Sequence, residues 1–111
     1  MNLVTQYAPN QLLIETDEAI YLQSYRSIVA KYDKETKIVY LGYDWDYSRT
    51  TMKYVKKFIG QCSGAGSKFA IKDLKRALRE ESNLLGIRTL FKGGLQEEFQ
   101  NMERQQVLDI G

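Results

Sequence analysis

Residues 27–43 read SIVAKYDKETKIVYLGY. Two runs of β-branched and aromatic residues flank Asp33-Lys34-Glu35-Thr36, a polar stretch of hairpin length, so the segment predicts an antiparallel hairpin. Strand alternation would put Ile28, Ala30 and Tyr32 on one face and Val29 and Lys31 on the other. In the return strand Ile38, Tyr40 and Gly42 alternate with Val39 and Leu41. Both faces are partly apolar, which calls for a helix over at least one of them. Upstream, the short apolar run Leu12-Leu13-Ile14 and the segment from Ala19 to Tyr25 follow the same β logic, separated by Thr16-Asp17-Glu18. The expected fold class is α+β: a small antiparallel sheet of about three strands from residues 1–47, packed against two or three helices from the rest.

Residues 48–111 read as mainly α. Ser48 is placed to cap a first helix through the N–H of Thr51, and Met52, Val55, Phe58 and Ile59 recur at helical spacing. Gly60 would end it. Arg49, Lys53, Lys56 and Lys57 form its outer face. GQCSGAGS, residues 60–67, reads as a flexible connection, and its glycines do not match the phosphate-loop pattern. Ser67 would open a second helix with Ile71, Leu74 and Leu78 inward, Leu85 continuing the stripe, and Lys72, Lys75, Arg76 and Arg79 outward. Gly86 would stop it. IRTLFK follows as a strand or an irregular crossing, and Leu95, Phe99 and Met102 then mark a third helix.

A chain of 111 residues is the size of one domain. Its net charge is only +2, but residues 1–47 carry −3, residues 48–92 carry +8 and residues 93–111 carry −3. Such blocks point to an electrostatic partner or to mutual attraction on folding. The chain has no histidine and a single cysteine, Cys62. The usual general base, every Ser-His or Cys-His pair, and an internal disulfide are therefore excluded, and a non-enzymatic role without cofactor or metal is expected. No stretch has the length of a membrane span or the pattern of a signal peptide, so the expected setting is the cytoplasm.

YDWDYSRTT, residues 43–51, joins the hairpin to the first helix. If extended, it separates the Asp44 and Asp46 carboxylates from the Tyr43, Trp45 and Tyr47 rings. One reading has Trp45 wedging sheet against helix. A second pairs the aspartates for Mg²⁺ or acid–base work, with Glu15, Asp17 and Glu18 as further ligands. A third combines tyrosines that stack on bases with lysines that neutralise phosphates, extending to Lys72, Lys75, Arg76 and Arg79. A fourth is a protein-binding surface of Tyr43, Trp45, Tyr47 and Arg49, reinforced by Lys53, Lys56 and Lys57.

Residues 24–59, and above all Tyr47-Ser48-Arg49-Thr50-Thr51 with Lys53, resemble a group of small proteins from phages and mobile elements of Gram-positive bacteria. Those proteins join a hairpin to a helix through a YSxTTxK motif; where they often carry His after the lysine, this chain has Tyr54. The resemblance implies an accessory role in phage or mobile-element biology, where compact proteins of this kind include anti-CRISPR inhibitors. The expected partner is then a bacterial defence protein or its RNA complex, such as a CRISPR nuclease, with direct nucleic-acid binding as the alternative.

Overall fold

The structure, a computed structural model, describes residues 3–64, 68–84 and 86–110, the last eight by their backbone. Five strands run as an antiparallel meander: β1 (Leu3–Ala8), β2 (Gln11–Glu15), β3 (Ala19–Ser24), β4 (Ser27–Asp33) and β5 (Ile38–Leu41). The chain then forms α1 (Arg49–Ser63) and α2 (Ile71–Glu80), the short β6 (Asn83–Leu84), β7 (Ile87–Phe91) and α3 (Leu95–Ile110). Strand β7 returns to lie parallel to β5, Ile38 opposite Arg88 and Leu41 opposite Phe91, and β6 pairs with its outer side. The sheet has seven strands in the order β1-β2-β3-β4-β5-β7-β6. No helix among the described residues is long and apolar enough to cross a membrane.

The expectation of a three-strand sheet confined to the amino-terminal half is thereby corrected. Two of the missing strands, β6 and β7, come after α1 and α2, and the parallel β5–β7 pairing makes the sheet mixed, not antiparallel. Another is β1, whose residues Leu3 to Gln6 are all exposed and so have no buried alternation to betray a strand.

Hairpin β4–β5 forms around residues 33–37. The Asp33 carboxylate accepts the N–H groups of Glu35 and Thr36 at 2.9 and 3.0 Å, and these backbone bonds, led by that of Thr36, hold it below the usual carboxylate range. The simple alternation expected within β4 fails at one residue. Leu22 pairs with Ala30 while Gln23 pairs with Ile28, leaving Val29 as a bulge. Ile28 therefore faces one side of the sheet, and Val29 joins Ala30 on the other.

Both faces are covered. On the front, Leu22, Val29, Val39 and Leu41 pack against Val55, Phe58 and Ile59 of α1 and Leu74 of α2. On the back, Ile14, Tyr21 and Ile28 pack against Leu95 and Phe99 of α3. Polar contacts fix α3 in place: the Ile28 N–H at the bulge donates to Gln96 Oε1 at 2.7 Å, and Glu98 binds the ammonium groups of Lys31 and Lys92. Burial pushes the Glu98 carboxyl up, but its hydrogen bonds from Lys31 and Lys92 prevail and leave it lowered. Its contribution to stability is complete above the ordinary glutamate value and is lost as pH falls through the lower value of the folded chain.

Helix boundaries also shift. Ser48 caps α1 as expected, its Oγ accepting the Thr51 N–H at 3.1 Å. Gly60, however, is buried inside the helix, which runs on to Ser63 and ends where Gly64 adopts φ 73°. The expected connection over 60–67 thus loses its first residues to helix, and Ser67 lies outside the described residues. In α2 the first N–H cover comes from Asp73, whose carboxylate accepts from Ala70 at 3.1 Å. The helix stops at Glu80, before Gly86, which sits in the β6–β7 turn; Leu85 is outside the described residues.

Candidate functional site

Three turns of α1 carry Arg49, Lys53, Lys56 and Lys57 on the side away from the Val55–Phe58–Ile59 stripe. Together with Met52 and Ile71 these cations line a cavity of about 590 Å³ whose lining contains no carboxylate. Arg49, Lys53 and Lys57 are exposed and Lys56 half-buried. The three lysine ammonium groups lie over aromatic rings: Lys57 Nζ is 4.6 Å from the Tyr7 ring centre, Lys53 Nζ 5.5 Å from that of Tyr54, and Lys56 Nζ 5.6 Å from that of Phe69. Such contacts attract an ammonium group to the ring face through the ring quadrupole. The Tyr7 hydroxyl also donates to Gln61 Oε1 at 2.8 Å, which ties strand β1 to the same helix. The second set of candidates, Lys72, Lys75, Arg76 and Arg79, is exposed along α2 and does not line this cavity.

The ring cluster before α1 separates into parts. Trp45 is 6% exposed and belongs to the front core, so the indole supports packing between sheet and helix and is withdrawn from any partner. Tyr43 and Tyr47 are 73% and 78% exposed. Tyr43 rests edge-on against Phe91 with ring centres 5.8 Å apart and covers Gly93, where an added Cβ would meet the ring at 2.8 Å.

The carboxylates do not converge as a Mg²⁺ site requires. Asp44 and Asp46 lie at the end of the sheet that holds the β3–β4 turn, and Asp44 Oδ2 accepts from Ser27 Oγ at 3.0 Å. Asp17 and Glu18 sit in the β2–β3 turn at the opposite end, near Asp33 and Lys34. Among the described residues no three His, Cys, Asp or Glu side chains are grouped to hold a metal ion. Burial pushes the half-buried Cys62 thiol up to about 12, which leaves it protonated and a poor nucleophile at neutral pH.

A second cavity, of about 550 Å³, was not anticipated from the sequence. It opens between the β3–β4 turn, Ser24 to Ser27, and the start of α1, with Tyr47 and Val29 among its walls. The sequence pattern carries the preceding strand to Tyr25 and opens the hairpin at Ser27, although Tyr25 and Arg26 are flanked by serines in the manner of a tight turn. Tyr25 occupies that turn at φ 57°.

Behind this turn lies an unusual polar residue. Gln11 is fully buried, directly opposite Ser24 in the β2–β3 register, and neither of its amide atoms has a hydrogen-bond partner. Methionine matches its length without the polar burden. Gln11→Met is therefore expected to stabilise the chain by about 1–3 kcal/mol in urea denaturation. A loss of stability would mean that the amide is bonded in solution.

Comparison with known proteins bears on the part of the chain that holds both cavities. The model of a family of unknown function (DUF8033) matches residues 1–74, a span that includes β1 to β5, α1 and the first residues of α2. No curated protein and no solved structure matches the chain.

Proposed function

The chain belongs to DUF8033, and from that premise, which carries no activity with it, we propose that the protein is a non-enzymatic binding protein that holds single-stranded nucleic acid along the outer face of α1. The supporting observation is the cavity of Arg49, Lys53, Lys56 and Lys57, four cations gathered in one lining on the outer face of α1. Lysines and arginines on successive turns neutralise successive phosphates and release their counterions. The non-enzymatic part of the reading rests on a chain without histidine and a cysteine held as thiol. In the phage or mobile-element setting that the resemblance implies, the bound strand is the RNA of a bacterial defence complex, and the protein is a counter-defence inhibitor of the anti-CRISPR kind.

Salt titration tests this reading. With a fluorescent oligonucleotide, log K against log salt should fall with a slope of roughly −3, from about 0.7 per neutralised phosphate and the four cations of the cavity. A flat profile rejects it.

A second reading, docking on the defence protein itself, is favoured by the exposed Tyr43–Phe91 pair, since aromatic side chains are enriched where interfaces hold their energy. Capture from host lysate before and after nuclease treatment separates the two. A partner lost on treatment supports the nucleic-acid reading, and a partner retained supports the protein one.

A further inference from the structure

The cavity between the β3–β4 turn and the start of α1 adjoins the cationic groove. Ser48 and Thr51 line the first, while Arg49 and Met52, interleaved with them in sequence, line the second. The two are neighbouring sides of one helical turn. At about 550 Å³ the first lies within the size range of small-ligand sites.

Its walls combine three kinds of group. Tyr25 and Tyr47, 48% and 78% exposed, offer ring faces, and Val29 adds an apolar surface. Arg26 brings a cation to the rim. Hydroxyls and a carboxylate complete the set: Ser24 Oγ lies 3.0 Å from Thr51 Oγ1, and Ser48 Oγ donates to Thr51 Oγ1 at 3.1 Å. Two of the three hydroxyl protons serve these bonds, which leaves one O–H, on Ser24 or Thr51 in the buried wall of the cavity, without an acceptor of its own. Asp44, which already accepts from Ser27, keeps further lone pairs for an amine or imide N–H. Planar rings beside a donor and an acceptor, with a cation at the rim, match a nucleobase carried on its phosphate. The buried, unpartnered Gln11 amide on the same face as Ser24 adds to the polar character of this end of the sheet.

We propose that this cavity seats one unpaired base of the bound strand, stacked against Tyr25 and Tyr47, with the backbone passing from Arg26 to Arg49 and on along α1. This rests on the reading of α1 as a nucleic-acid surface and adds to it a requirement for bases as well as phosphates. A duplex, whose bases are stacked and paired, would not enter.

The test compares an oligothymidylate of about a dozen nucleotides with an abasic deoxyribose-phosphate strand of the same length and with a duplex, by fluorescence anisotropy at fixed salt. Wild-type protein should prefer the thymidylate over the abasic strand by roughly tenfold or more, given the worth of one stacked base. Tyr47→Ala, at an exposed position that the fold does not need, should erase most of that preference while leaving the salt slope unchanged, and Tyr47→Phe should keep it. Equal affinity for both strands with the expected salt slope overturns the base seat and leaves the α1 reading standing. Binding to neither strand overturns both. A preference that survives Tyr47→Ala also overturns the seat as placed here.

Discussion

Phe99→Ala is expected to lower the stability of the chain by about 3–5 kcal/mol, the usual cost of emptying a buried aromatic site. Phe99 meets Tyr21 edge-to-face, ring centres 5.3 Å apart, inside the back cluster with Ile14, Ala19, Ile28 and Leu95. The cluster contains six buried residues, and two of them come from α3. Removing Phe99 leaves Leu95 as the one fully buried α3 residue of the cluster, with Met102 partly buried beside it, and removes the aromatic pair. The polar contacts of Gln96 and Glu98 follow from this docking and do not replace it. Urea denaturation gives the magnitude, and hydrogen exchange should show α3 and the Ile28 amide losing protection first. A loss below about 1 kcal/mol would mean that the back of the sheet is covered by something other than this helix.

The combined change Lys53→Ala, Lys56→Ala and Lys57→Ala has the largest expected effect on binding. Each phosphate contact is worth about 0.7 decade of affinity per decade of salt, so three lost contacts cost about a hundredfold at 0.1 M salt and reduce the salt slope by about 2. The fold should persist with a modest loss of stability, because Val55, Phe58 and Ile59 hold the inner side of α1. Cation–π contacts to Tyr54, Phe69 and Tyr7 are lost too, at a cost of about 0.5–1 kcal/mol each at exposed sites. An unchanged oligonucleotide affinity would move the binding surface elsewhere, with the α2 cations Lys72, Lys75, Arg76 and Arg79 the next to be replaced.

Local chemistry was legible wherever one residue decides it. Asp33 and its neighbours make the hairpin turn, Ser48 caps α1, and the spacing of Leu95, Phe99 and Met102 gives the docked side of α3. Nonlocal pairing was not. Nothing in Ile87–Phe91 says that its partner is β5, almost fifty residues earlier, because a parallel neighbour leaves no turn between the two strands. The bulge at Val29 likewise depends on the partner strand and reverses a face assignment that alternation alone must make. At the site, basic spacing on α1 revealed the groove, but the hydroxyl-and-tyrosine cavity draws on two segments some twenty residues apart and exists only once they meet. Trp45 shows the converse: residue type allowed both a wedge between sheet and helix and an anchor for a partner, and only its buried position in the front core decides for the wedge.

The insertion of β7 between β5 and β6 has a consequence for how the molecule is made. While the chain emerges from the ribosome, the meander and α1 are complete well before Phe91 is synthesised, and until then the outer edge of β5 has no mate. During that interval Ile38 to Leu41 present a row of free peptide groups to any extended segment nearby, including the β7 of another nascent copy. Exchange of β7 between two such chains would give an intertwined pair with every strand correctly matched, so rapid dilution after synthesis favours the closed single molecule.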